Sequence, residues 1–320
     1  MENIWYRRNV FITGATGFVG SHLAKRLINY NSNVIVLIRS QDPNSYFFTE
    51  GLNKKCILVH GDIRDKNRIS EIIQKYEIET IFHLAAQPIV TNAILDPYIT
   101  FDTNIFGTIN ILEASRKFNF IKEVIVASSD KAYGSSKNLP YREDMPLLGE
   151  APYDVSKSCA DLISLSYAKT YGLPISVSRC GNIYGPGDLN FSRIIPGAIK
   201  AALTNSTLVI RSDGKPIREY IFVDDVIDGY LLLAENIAKT KGEAFNFSSG
   251  EKLSVLEVIE KVKKILKKDI KFKILNQAKN EIKEQYLSYQ KAQKILNWKP
   301  KFNINEGIKK TYPWYEKHIK

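Results

Sequence analysis

A chain of 320 residues that is 44% hydrophobic and 25% charged has the composition of a globular protein of one large domain or two intimate ones. Its apolar runs fall far short of the roughly 18 residues that span a bilayer, and no signal-peptide pattern opens it, so the expected location is cytoplasmic with no membrane partner. The net charge of +11 comes mainly from lysines of the last quarter, which share faces with Ile, Val and Leu; without interleaved aromatic residues it reads as solvated surface able to attract a diphosphate-bearing substrate, not as a nucleic-acid groove.

Residues 9–13 form a short apolar run ended by Gly14, and residues 18–30 follow with helical periodicity through Phe18, Leu23, Leu27 and Ile28. The turn between them carries Gly14, Gly17 and Gly20, spaced so that bare backbone approaches a pyrophosphate at the helix N-terminus, where free N–H groups and the dipole favour an anion. A second strand, 34–38, closes a βαβ unit. It ends in Arg39-Ser40, where a dinucleotide site that prefers NAD usually places an acid for the ribose hydroxyls; an arginine and a serine there lean toward the 2′-phosphate of NADP, with NAD left open.

Strands are expected at 56–59, 80–84, 124–128 and 175–178, and helices at 103–117 and 153–171. Asp62, after the first of these strands, is placed to reach an adenine amino group, with Ile63 beside it. Ala85-Ala86-Gln87, after the strand that ends in Leu84, are small enough to let a cofactor ribose lie close. This alternation predicts a Rossmann-type doubly wound parallel sheet with ligands at the carboxyl ends of its strands. After Gly181 the texture changes to turn-forming Gly185-Pro186-Gly187-Asp188 and then to short elements at 194–203, 208–210, 220–223, 226–235, 255–266 and 291–296. The expected division is 1–181 for the dinucleotide and 182–320 for a smaller, interleaved α/β lobe. Cys56, Cys159 and Cys180 are too few and too scattered for disulfides or a metal site, and are read as buried free thiols.

Tyr153 and Lys157 are four apart, on one face of a helix. An ammonium beside a phenol stabilises phenolate and lowers the tyrosine pKa, giving a base that takes a proton from a hydroxyl while hydride leaves the carbon. Ser129, at a strand end, can bond the same hydroxyl.

With these residues, Thr13-Gly14-Ala15-Thr16-Gly17-Phe18-Val19-Gly20, His83-Leu84-Ala85-Ala86-Gln87, Gly181-Asn182-Ile183-Tyr184-Gly185-Pro186 and Arg218-Glu219-Tyr220-Ile221-Phe222-Val223-Asp224-Asp225, nearly the whole chain resembles the extended short-chain dehydrogenase/reductases. Among these, Ser129-Asp130-Lys131 is most similar to the Thr-Asp-Lys triplet of nucleotide-sugar 4,6-dehydratases of the CDP-glucose type. The resemblance implies a tightly held NAD or NADP contacted by Gly14, Thr16, Gly17, Phe18, Val19, Gly20, Arg39, Ser40, Asp62, Ile63, Leu84, Ala85, Ala86, Asn104, Tyr153 and Lys157. It implies a nucleotide-diphosphate sugar contacted by Gln87, Asn182, Arg193, Val209 and Arg218, of which Arg218 suits bidentate phosphate binding.

By the same resemblance, Tyr153 deprotonates the C4 hydroxyl as hydride moves to the nicotinamide. Asp130 and Lys131 then manage loss of water across C5 and C6, Asp130 as the acid at the C6 oxygen, and hydride returns to C6. The base for the C5 proton stays open, because Lys131 stands where the dTDP-glucose enzymes have glutamate. A 4-epimerase, a dehydratase releasing a 5,6-unsaturated sugar, and a cofactor-sensing binding protein are the alternatives. A homodimer through residues 103–117 and 153–171 and a role in cell-surface polysaccharide synthesis complete the implied picture.

Overall fold

Every other residue of the strand Asn9–Thr13 is buried on an opposite side of one sheet: Val10 and Ile12 in one apolar cluster, Phe11 in another. Burial on both faces is the mark of a parallel sheet covered by two helical layers. A computed structural model describing residues 3–277 and 282–319 shows that sheet. Its seven parallel strands run in the order Ala244–Phe247, Ile175–Cys180, Glu123–Ala127, Thr80–His83, Asn9–Thr13, Asn33–Ile38, Ile57–His60. The fold class is the doubly wound Rossmann type expected from the alternation.

The strand order reverses between Asn9–Thr13 and Thr80–His83, which opens a crevice at their carboxyl ends. The last strand of the sheet, Ala244–Phe247, comes from far down the chain and pairs with Ile175–Cys180. A second, four-stranded sheet is centred on Ile217–Phe222, flanked by Lys252–Ser254, Glu284–Gln285 and Asn182–Tyr184. Leu208–Ile210 pairs with Phe272–Ile274 in a third, two-stranded piece.

Two local expectations change. The helix expected from 103 to 117 is α-helical over Gly107–Lys117, but Asp102–Phe106 is a π turn that widens the backbone just where Asn104 sits. All three cysteines are free, as expected, yet only Cys180 is fully buried; Cys56 and Cys159 are partly exposed.

Candidate active site

The crevice begins with the glycine turn. Gly14 has φ +75°, and a Cβ there would lie 2.7 Å from the Ala85 backbone nitrogen. At Gly20 it would lie 2.2 Å from the Gly14 carbonyl oxygen, while at Gly17 the closest atom would be 3.3 Å away. Internal packing therefore demands glycine at 14 and 20 and tolerates more at 17. The helix Phe18–Asn29 starts with no side-chain cap and no acid in its first turn. Its first N–H groups and dipole are thus offered to an anion, so the turn fits the diphosphate of a dinucleotide.

Beneath the turn runs a buried hydrogen-bond chain with one direction. Thr108 donates its hydroxyl to the Asn104 carbonyl (2.7 Å), so the Thr108 oxygen accepts from His83 Nε2 (3.0 Å). His83 Nδ1 is then the acceptor for the Thr13 hydroxyl (2.8 Å), whose oxygen takes the Ala85 N–H (3.2 Å). Burial, aided by the Lys157 charge, lowers the His83 pKa to about 3, and the ring stays neutral. Asn104 braces the opposite wall: its amide accepts from Gln87 N (2.7 Å) and donates to the Gln87 carbonyl (3.2 Å) and Ser156 Oγ (2.8 Å).

At the adenosine end, Arg39 and Ser40 are exposed beyond Asn33–Ile38. Asp62 is gripped by Arg64, whose Nε and Nη2 donate at 3.1 and 2.8 Å, and this bond holds its carboxyl below the ordinary value. Ile63 is buried against Gly107.

The reacting end gathers at the exit of Glu123–Ala127. Ser129 caps a short 3₁₀ turn, Asp130–Tyr133: its Oγ accepts from Lys131 N (3.2 Å) and donates to Asp130 Oδ1 (3.1 Å), and it stands near the Tyr153 phenol, whose pKa it lowers. Tyr153 opens the long helix Pro152–Tyr171, which carries Lys157 one turn on. The structure corrects one electrostatic expectation here. Burial pushes Tyr153 up to about 12, while Arg193 and Ser129 lower it and Asp130 and Asp154 raise it further. Lys157 directs its Nζ to the Ala127 carbonyl (2.8 Å), and burial lowers it to about 8. The lysine is bound to backbone rather than to the phenol, so the protein alone does not depress the tyrosine.

Asp130 is 3% exposed, and its Oδ2 has no hydrogen-bond partner among the described residues. Burial raises its pKa, against the pull of Lys131, Ser129 and Arg218. Asp154 is pushed to about 6 by burial, with Lys131 lowering it and Asp130 raising it.

The four-stranded sheet meets this cluster, with Gln285 bonded to Asp130 and Lys131. Arg218, on Ile217–Phe222, is buried with its Nη1 on the Ile217 carbonyl (2.8 Å). Next to it Glu219 is fully buried; its Oε2 accepts from Ser248 and from Leu287 N (3.2 Å), and its Oε1 lacks a hydrogen-bond partner among the described residues. Burial, reinforced by Asp130, pushes it up to about 8. Asn182 donates to the Glu219 carbonyl (3.1 Å), and Arg193 pairs with Asp188 (2.9 Å). Val209 stands 53% exposed on its strand. No cluster of metal-ligating side chains occurs among the described residues. No helix among them is long and apolar enough to cross a membrane.

The sequence profile of the family described as GDP-mannose 4,6 dehydratase matches residues 11–311. The chain belongs to that family. A Salmonella typhimurium CDP-glucose 4,6-dehydratase is 29% identical over 100% of this chain and 93% of its own length. A UDP-glucose 4-epimerase from Thermotoga maritima, solved with UDP-glucose, superposes with TM-score 0.88 at 30% identity, covering 98% of this chain and 100% of that one. A dTDP-glucose 4,6-dehydratase from Bacillus anthracis, solved with NAD, gives TM-score 0.85 at 27% identity and 97% coverage of both chains. The family thus joins dehydratases and epimerases of nucleotide sugars, and this member is an enzyme fold of that dehydratase and epimerase group.

Three residues of the cluster escape a reading of the sequence. Glu219 lies inside the Arg218–Asp225 motif but carries no spacing signal of its own. Asp154 sits between Tyr153 and Lys157 without a pattern. Gln285, about 150 residues from Asp130, becomes visible only once the lobes pack.

Proposed function

We propose that the chain is a nucleotide-sugar 4,6-dehydratase, a lyase that oxidises C4 of a nucleoside-diphosphate hexose, removes water across C5 and C6, and reduces C6 to give a 4-keto-6-deoxy sugar. The observation that carries the reading is Asp130: a buried carboxyl with a raised pKa and an unpartnered oxygen, one residue from Lys131 and in contact with the Ser129 that meets Tyr153. A buried carboxyl whose pKa is raised is a better proton donor than an ordinary one and is suited to donate to a departing oxygen, which C4 inversion does not need.

A nicotinamide dinucleotide, when bound, supplies the reversible hydride acceptor. Gly14, Thr16, Gly17, Phe18, Val19 and Gly20 would hold its diphosphate, Arg39, Ser40, Asp62 and Ile63 its adenosine, and Leu84, Ala85, Ala86, Tyr153 and Lys157 its ribose and amide half. Asn104 acts through Gln87. Arg39 beside Ser40 favours NADP; the NAD of the Bacillus anthracis relative favours the other choice. For the chain itself, Tyr153 takes the proton of the C4 hydroxyl and Ser129 orients that hydroxyl. Asp130 protonates the C6 oxygen, and Lys131 sets the field in which it does so. Residues 182–320 form the sugar-nucleotide lobe, where Arg218 and Arg193 face the diphosphate, Asn182 and Gln87 flank it, and Val209 lines the base.

The Thermotoga maritima likeness supports a second reading, a 4-epimerase using Ser129, Tyr153 and Lys157 alone. Incubation with CDP-, GDP-, UDP- and dTDP-hexoses, followed by mass, separates the two: loss of water is expected, and a product of unchanged mass inverted at C4 overturns the dehydratase. Asp130→Asn should retain C4 oxidation and lose dehydration. Equal loss of both removes the role given to Asp130.

A further inference from the structure

Gln285 is wholly buried, belongs to the second lobe, and spends its amide on two neighbouring residues of the cluster. Its Oε1 accepts from Lys131 Nζ at 2.5 Å, and its Nε2 donates to the Asp130 carbonyl at 3.3 Å. Turning the amide over would set NH₂ against an ammonium and oxygen against a carbonyl, so the partners fix its orientation. The strand Glu284–Gln285 places Gln285 in register with Arg218, beside Glu219. An amide holds an ammonium without cancelling its charge. The Lys131 charge accordingly acts on both Asp130 and Asp154, lowering each, while Lys131 forms no ion pair with either among the described residues.

We propose that Gln285 is a positioning residue: from the second lobe it anchors the Lys131 ammonium between Asp130 and Asp154 and prevents its collapse into an ion pair with one of them. The inference rests on the dehydratase reading and makes the proton-handling half of the site depend on the seating of the sugar-nucleotide lobe. The redox half, Ser129, Tyr153 and Lys157, comes from the first lobe and touches the second only through the field of Arg193 on Tyr153, so it depends on Gln285 far less. The charged and titratable groups around the anchored ammonium are Asp130 and Asp154, with Glu150 beside Asp154; around Asp130 stand Arg218, Glu219, Tyr141, Tyr153, Asp154 and Cys180.

Two full-length variants test it. Gln285→Met keeps the length of the side chain and removes both hydrogen bonds; Gln285→Glu keeps the shape and puts a carboxylate on the ammonium. In protein labelled with ¹⁵N-lysine, the Lys131 Nζ signal is identified by its loss in Lys131→Arg. The chemical shift of that signal at neutral pH should move in both variants, and an unchanged shift in both overturns the anchor. The second readout is the ratio of cofactor reduction to water loss in single turnovers with the sugar nucleotide that the wild type consumes. Both variants should shift that ratio at least tenfold toward oxidation without dehydration; a proportional fall in both steps would reduce Gln285 to a packing residue. If the wild type removes no water from any sugar nucleotide, the dehydratase reading fails, while the Lys131 Nζ signal still decides whether Gln285 holds the ammonium.

Discussion

Lys157 reaches back from its helix to the carbonyl of Ala127, 2.8 Å away, and so ties the second turn of Pro152–Tyr171 to the end of the strand that delivers Ser129. That bond presents Tyr153 to Ser129, and it leaves the ammonium in a dry setting with a pKa of about 8.

C4 oxidation needs Tyr153 as phenolate beside a protonated Lys157. Burial holds Tyr153 at about 12 and Lys157 at about 8, so the working pair grows with pH up to about 8 and levels off above it. Single-turnover cofactor absorbance from pH 6 to 10 checks this, with Lys157→Met expected to remove the break near pH 8 and Tyr153→Phe to slow the step by about 10²–10⁴. A Tyr153→Phe enzyme that turns over normally would end the catalytic reading.

Glu219 should make the protein less stable in mild alkali. Its folded pKa, about 8, lies above the ordinary 4.5. The neutral form therefore stabilises the fold fully below pH 4.5, and that contribution is lost as the pH rises through 8. Urea unfolding at pH 5 and pH 9 should show a loss on the order of a few kcal/mol in the wild type, and a smaller one in Glu219→Gln. Equal losses would mean that Glu219 is already ionised in the native state.

The glycines of the turn should separate by what they serve. Gly20→Ala drives a Cβ into the Gly14 carbonyl oxygen and should cost about 1–3 kcal/mol in urea unfolding. Gly17→Ala meets nothing closer than 3.3 Å, so it should fold with near-native stability and bind the dinucleotide at least tenfold more weakly by calorimetry. Similar effects at both positions would contradict the diphosphate site.

We propose that a homodimer forms through the helical face that carries Phe106 and Leu162, large apolar side chains 58% and 55% exposed. Sedimentation velocity should find a dimer for the wild type and a monomer for Leu162→Lys with an unchanged circular dichroism spectrum. A monomeric wild type rules the dimer out.

The β/α alternation and the glycine turn were legible because they are local: the main sheet's strands of four to six mostly apolar residues, several closed by Gly or Ser, announce themselves within a few positions. Ser129, Tyr153 and Lys157 were legible for the same reason. The electrostatics were not. Whether Lys157 meets the phenol or the Ala127 carbonyl depends on how a helix end sits on a strand end, and the spacing of four fits both. Glu219 and Gln285 owe their interest to burial between lobes, which no periodicity encodes. The π turn at Asp102–Phe106 has helical side-chain spacing on either side and differs only in backbone bonding.

The seventh strand of the main sheet arrives from residues 244–247, well inside the second lobe. Cutting the chain after residue 181 would leave Ile175–Cys180, six residues buried along their whole length, as a naked edge. A protease or a cloning boundary at that point would not release a cofactor-binding half; it would expose an adhesive strand. The two lobes share one sheet, and they should melt together in a single calorimetric transition.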